Sequence, residues 1–431
     1  MQIKDIDPVY ISELLLRKEV GQAGYCKLKF HASEKGLEGL LERQDISIQL
    51  DDGEPVFYGK IHYSEIRKSL GGFQGSLEAF SSIWPAAVSG ARRFFQKPDK
   101  TFGDVCKRIK LDNGNPACDR KLKNLACPPF LMQSGDNVSF LRLLAEMSGR
   151  KMWIQDNTKS SAGIKLSFCL DDAVLGLDRA RLFELAIIRK NGQKALRLSS
   201  RDWLAPGSLV ELEGIAGTFL VESAKASINQ CRDVFEAVLY EYSECTPEKI
   251  IWPDKTTTLL SATVQKNNDP DQLGRLQLAI DPEDAEDSEQ KSWLPQLTPY
   301  AGEKTGIFFM PDPQNRVALL VGNGKAWVIG AIRENNVEEE AVEPANKYIG
   351  NNFNQRMIWK EKSLELRSGE RSIILDDEGI HLHSDKADLN MDDSGLVAKS
   401  SRDTSMETSA NLTLDATGPA KLLGSKVELG K

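Results

Sequence analysis

Apolar and polar positions alternate along this chain in patterns that divide it into sections, and the tightest pattern comes near the end. Residues 364–427 form eight consecutive units of eight: LELRSGER, SIILDDEG, IHLHSDKA, DLNMDDSG, LVAKSSRD, TSMETSAN, LTLDATGP and AKLLGSKV. Turn formers stand at or near most unit ends, at Gly379, Gly395, Asp403, Asn411 and Pro419. A strict short period of this kind marks a β-helix or solenoid. Apolar residues take alternate places within a unit, as at Leu364 and Leu366, Ile380 and Leu382, or Leu412 and Leu414. That is the two-residue period of a half-buried strand. In two units the pair shifts by one place, to Ile373 and Leu375 and to Leu389 and Met391, so the inward register is not uniform. The units from Leu396 to Asn411 are poor in large apolar groups. One or two apolar side chains per unit bury too little surface to offset backbone ordering at roughly 1–2 kcal/mol per residue. The expectation is several copies wound round one axis, each strand pairing with neighbouring chains, in a rigid rod without free edges.

Earlier sections mix strands with a few helices. Residues 56–63 and 75–80 alternate as strands around a Gly-Gly turn region. Thr101, with Asp104 three residues on, predicts a capping box and a short helix that puts Val105 and Ile109 on one face. A longer helix is predicted over 137–148, with Asp136 as N-cap, Phe140, Leu141, Leu144 and Met147 at helical spacing, and Gly149 as its stop. Residues 151–154, 206–212, 217–221 and 234–242 read as further strands, which makes residues 1–255 an α+β section with β-barrel character. After Pro253 and a polar run come five short strand patterns, at 260–265, 274–280, 306–309, 317–321 and 326–332. Residues 258–333 therefore suit a small closed barrel of the oligonucleotide/oligosaccharide-binding (OB) type. An acidic linker, 334–356, precedes the rod section, 357–431.

Composition narrows the function. The chain has 431 residues, enough for roughly three domains, and no apolar run near the ~20 residues that span a bilayer. Its first residues carry charge where a signal peptide needs an apolar stretch, so the expectation is cytoplasmic folding. Seven cysteines without a C-x-x-C pair predict reduced structural thiols. A net charge of −8, with strong acidity at 281–289 in the barrel, is the wrong sign for a nucleic-acid partner. His381 and His383 are two apart on a strand and point the same way, the minimum for a metal cage on a multi-chain axis. Ile380 and Leu382 are the better inward candidates, which leaves both histidines on the surface, and no metal or other cofactor is expected. The pairs Asp376-Asp377 and Asp392-Asp393 recur where repeats need corners and read as turn chemistry. With four histidines and no nucleophile elbow, H-E-x-x-H or P-loop pattern, the chain is not expected to be an enzyme.

The barrel carries a specific resemblance. Residues 262–270 end in Asp269-Pro270, then come Leu273-Gly274-Arg275 and an alternating strand, Trp293-Leu294-Pro295, Ala301-Gly302, 306–311 ending in Pro311, 316–320, and Trp327-Val328-Ile329-Gly330. In this order they resemble the VgrG spike proteins of type VI secretion, which are related to phage hub and puncturing proteins and to extracellular contractile injection systems. Residues 56–59, Arg93-Phe94-Phe95-Gln96 with Thr101, and Gln133-Ser134-Gly135-Asp136 before the 137–148 helix are similar to the hub region of that family. The resemblance implies a mainly β fold with some α: an N-terminal α+β hub of two similar barrel domains, an OB-type barrel and a C-terminal intertwined trimeric β-helix. It implies a homotrimer offering pseudo-sixfold symmetry to a hexameric, Hcp-like tube protein, with baseplate components and effector cargo as further partners and transient contact with a target membrane. A PAAR-like tip protein would cover the blunt end at Val427 and Leu429. The function implied is a structural spike that punctures a membrane and leaves the cell on firing. The alternative is a phage-tail puncturing enzyme or a toxin-bearing spike, against which the absence of an added lytic domain counts.

Overall fold

The structure, a computed structural model, describes residues 2–3, 8, 10–33, 40–69, 72–190, 192–229, 232–244, 257–281, 291–303, 305–334 and 343–428. The chain divides into two compact units, Met1–Arg333 and Glu334–Lys431. It is mainly β with a few helices.

A 12-stranded sheet organises the N-terminal region, and one long strand, Ile215–Asn229, joins its two cores. The first half of that strand pairs with Leu209–Leu212 and sends Phe219 and Val221 into a cluster with Leu196, Leu198, Val210 and Leu239. Its second half pairs with Tyr10–Glu19 and sends Ala226 and Ile228 into another, with Leu14, Leu16, Leu28, Phe30 and Phe57. Both clusters follow the two-residue alternation of half-buried strands.

A helical layer packs round a core of its own. Asp136 caps the helix Asn137–Met147 by accepting from the Ser139 amide at 2.7 Å, and Phe140, Leu141, Leu144 and Met147 are buried. Thr101 and Asp104 form the expected reciprocal capping box on Phe102–Lys107. The two motifs read separately at 93–96 and 133–136 pair with each other: Gly90–Phe95 lies antiparallel to Leu131–Asp136, with Arg93 opposite Gln133. At its Phe94–Phe95 end the ribbon is buried on both faces. Phe94 and Phe130 enter the barrel core, while Phe95 and Leu131 enter the helical core, where the Phe95 ring stacks on Phe140. Adjacent aromatics on one strand thus clamp two cores together.

The barrel sheet runs in the order Leu294–Pro295, Arg275–Ile280, Thr257–Lys266, Arg316–Gly322 and Lys325–Ile332. The Leu297 amide donates to the Val328 carbonyl at 2.7 Å, which brings the first edge back to the last. The predicted strand at 306–309 is corrected. Only Thr305–Gly306 pairs, with Ala301–Gly302, and the carbonyls of Ile307 and Phe309 accept instead from the side chains of Thr298 and Gln296. Past the Ile307 amide, which donates to the Tyr300 carbonyl at 2.9 Å, the segment joins no described strand, and Phe308 is 74% exposed.

The second unit is a seven-stranded antiparallel meander. Two of its strands, Lys347–Gly350 and Gln355–Trp359, begin inside the stretch assigned to the linker. Five repeat strands follow, Ser363–Ser368, Arg371–Asp376, Gly379–Ser384, Ala387–Asp392 and Gly395–Ser400. Each is six residues long and begins eight residues after the last, so the period is one strand plus a two-residue loop. Pairing runs between successive strands of the same chain, where the sequence reading expects pairing between chains. The expectation of a strand in every unit also fails beyond Ser400, where residues 401–428 form none. The intervening unit has Ser405 and Glu407 where the apolar pair should stand.

Candidate functional site: a braced barrel turn and a one-sided apolar sheet

The barrel motif is a turn built around one carboxylate. Asp269, whose side chain is 2% exposed, accepts from the backbone amides of Asp271 (3.1 Å), Leu273 (3.1 Å) and Arg275 (3.3 Å), and from Arg275 Nε at 2.7 Å and Nη2 at 2.8 Å. Pro270 fixes the backbone after it. Gly274 takes φ +66 beside the Phe308 ring, 3.0 Å from where a Cβ would stand, so a side chain there would be strained. The Arg275 guanidinium holds the Asp269 carboxyl far below the usual carboxylate range. With every lone pair occupied, this carboxylate braces a loop and has no capacity for proton transfer near neutral pH. Arg275 also lies in register with Pro295, two residues past Trp293, so the first two motif segments meet. Ala301 and Gly302 sit apart, in an exposed hairpin. Leu273, Leu297, Tyr300, Ile307, Phe308 and Phe309 are all exposed around this turn and arm. The sequence reading treated 306–309 as a strand and so missed this surface.

The repeat sheet has one apolar face. Cross-strand partners are Leu364 with Leu375, Leu366 with Ile373, Ile373 with Leu382, Leu375 with Ile380, Ile380 with Met391, Leu382 with Leu389, and Met391 with Leu396. The one-place shift noted in the sequence is a consequence of chain reversal. Strands running one way carry the pair at their second and fourth residues, strands running back carry it at their third and fifth, and every pair lands on the same side. These side chains are only partly covered within one chain: Leu364 and Leu389 are half-buried, and the others run from 37% exposed at Ile380 and Leu382 to 63% at Leu396.

His381 and His383 lie on the other, polar face. His381 Nδ1 is 3.0 Å from Asn390 Oδ1 and its Nε2 is 3.3 Å from Asp376 Oδ1, while His383 Nδ1 is 2.5 Å from Asp388 Oδ1. Both rings are engaged by the same chain, and no group of three or more metal-ligating side chains exists among the described residues. Asp376 Oδ1 accepts from the amides of Glu378 (2.9 Å) and Gly379 (3.0 Å), and Asp392 Oδ1 from Ser394 (2.7 Å), which makes these acidic pairs turn-formers. Val427 is exposed and lies in no strand, and Leu429 falls outside the described residues. No described helix is long and apolar enough to cross a membrane.

Residues 260–332 match the family profile of the type VI secretion system/phage-baseplate injector OB domain. Among solved structures, the chain is similar to the E. coli c3393 protein, a component of the type VI secretion system with structural similarity to the T4 bacteriophage tail proteins gp27 and gp5. The identity is 16%, over 77% of this chain and 99% of that chain, with a TM-score of 0.56. It is also similar to a chain of the half-lidded Francisella PdpA–VgrG complex, at 12% identity over 87% of this chain and 84% of that one, TM-score 0.56. The lidless PdpA–VgrG complex gives 11% identity, 91% and 94% coverage and a TM-score of 0.55. At these identities the likeness is one of fold. No curated protein sequence matches the chain.

Proposed function

We propose that this chain, a VgrG-type spike protein by its injector barrel and its fold, acts mechanically as the homotrimeric spike of a contractile injection machine. The observation that carries the reading is the apolar face of the repeat sheet, unbroken from Leu364 to Leu396 and only partly covered within one chain. A face of this kind, backed by a charged one, needs partners of the same shape, and a closed set of identical sheets supplies them. Three copies with their apolar faces inward make a prism whose core is continuous and whose outside is polar. The backbone ladders of such a prism must break together if it is to bend, which suits a needle driven into a membrane.

In this reading the N-terminal region adapts the spike to a hexameric tube protein and the baseplate. A PAAR-like tip protein covers the end near Val427. The chain assembles in the cytoplasm, carries effector cargo and leaves on firing. The braced, saturated Asp269 supports a structural role for the barrel motif. The test is made on particles. Removing residues 357–431 is expected to leave tube and sheath assembly intact while abolishing delivery into target cells, and undiminished delivery would overturn the proposal.

A further inference from the structure

The helical layer holds two cysteines in contact. Cys106 is buried in the last turn of the helix Phe102–Lys107, and Cys118 is half-buried at the end of the strand Ala117–Cys118. Their sulfurs lie 3.2 Å apart with a thiol hydrogen bond between them. The backbone is anchored on both sides. Cys118 stands in register with Leu166, and the next residue, Asp119, caps the helix Arg120–Lys123 and receives Arg150 Nε at 3.1 Å. Cys106 belongs to a helix fixed by its capping box. The Asn115 side chain draws in the chain between them by donating to the carbonyls of Lys107 (2.5 Å) and Ile109 (2.9 Å). A disulfide needs its sulfurs about 2.05 Å apart, roughly 1 Å closer than they stand.

We propose that Cys106 and Cys118 are an oxidisable pair that closes to a disulfide in the folded protein when a hydroperoxide reaches Cys118. The Cys118 thiolate attacks the O–O bond and keeps one oxygen as a sulfenic acid, while the other oxygen leaves as water or an alcohol after protonation. Cys106 gives up its proton, and its sulfur displaces the sulfenic oxygen, which leaves as water. The two sulfurs supply the two electrons that reduce one hydroperoxide. Chemistry favours this order: the hydrogen bond the two thiols share lowers Cys118 from the ordinary thiol value and raises Cys106. Burial pushes Cys26 and Cys127 up to about 12 and Cys169 to about 11, which leaves them poorer nucleophiles. The bond would tie the helix to the sheet of this layer, whose core also holds Phe95 of the ribbon. It is independent of the proposed spike role.

The test treats native full-length protein with hydrogen peroxide, alkylates it and maps its peptides by mass. The expected result is a peptide linking Cys106 to Cys118, lighter by two hydrogens and reversed by dithiothreitol, together with an upward shift of roughly a few degrees in the first thermal transition. Cys106→Ser should leave Cys118 as a sulfenic acid that reacts with dimedone, and Cys118→Ser should abolish that labelling. The proposal is overturned if both cysteines stay fully alkylable in peroxide-treated native protein, if the link forms only after unfolding, or if Cys118 links to Cys127.

Discussion

Asp269 offers the sharpest quantitative test of the barrel, because its carboxylate accepts five hydrogen bonds and is 2% exposed. Asp269→Ala strands three backbone amides and deprives Arg275 of its main counter-charge. Removing one partner of a buried pair costs about 3–5 kcal/mol. Arg275 is itself 22% exposed and keeps Asp271, itself 67% exposed, at 2.5 Å, which places the expected loss near the lower figure, about 3 kcal/mol. Asp269→Asn retains one acceptor oxygen and should lose about 2 kcal/mol. Hydrogen exchange reads this locally: amides in the strand Arg275–Ile280 should exchange about 100-fold faster in the alanine variant. The dependence on pH has a definite sign. The folded carboxyl titrates below its unfolded value, so its contribution is complete above the ordinary carboxylate range and is lost as pH falls through the folded value. The wild-type advantage over Asp269→Ala should therefore be constant from pH 5 to 7 and shrink below about pH 4. A change in exchange of less than about threefold at neutral pH would refute the brace.

Other consequences are equally direct. Gly379→Ala would place a Cβ 2.1 Å from the Met391 carbonyl oxygen at φ +153 and should destabilise the repeat sheet by about 2–4 kcal/mol in thermal unfolding. Gly369→Ala, at φ +58 with nothing near, should cost about 1 kcal/mol. Changing both His381 and His383 to Ser should move stability by no more than ~0.5 kcal/mol per site, since both lie on the polar face, and release of a stoichiometric metal on that change would contradict the placement. Lys100, buried, donates to the carbonyls of Pro128 (2.6 Å) and Pro129 (2.8 Å), and burial lowers it from 10.5 to about 8. Between those values the unfolded chain holds a proton that the folded chain lacks, so wild-type stability relative to Lys100→Met should rise by about 2–3 kcal/mol from pH 7.5 to 10.5, and a flat difference in urea midpoints would reject it.

Local chemistry was legible in the sequence wherever one residue's partners lie nearby. The caps at Thr101 and Asp136 and the acidic turns at Asp376 and Asp392 are of this kind, while the Asp269 to Arg275 segment was legible only as a family motif and not as a braced carboxylate. The octad was legible as a period. Its shifted units were not understood, because the phase change at Ile373 and Leu389 acquires meaning only once two-residue loops reverse the chain. The residues at 306–309 misled for the opposite reason: an apolar run reads as a strand, while the Ile307 and Phe309 carbonyls are taken by side chains and its aromatic rings are exposed. Pairing of Phe94 and Phe130 with a barrel more than a hundred residues further on leaves no local signal, nor does the contact of Cys106 with Cys118.

The central claim is that the apolar face from Leu364 to Leu396 is covered by two further copies of the chain. Light scattering of the purified full-length protein measures this without assumptions about shape. The account predicts a single species of three times 47.8 kDa, reduced to the monomer mass by Ile380→Asp, which would set three carboxylates on one apolar axis. A wild-type monomer of 47.8 kDa whose repeat amides are nonetheless protected from exchange would contradict it.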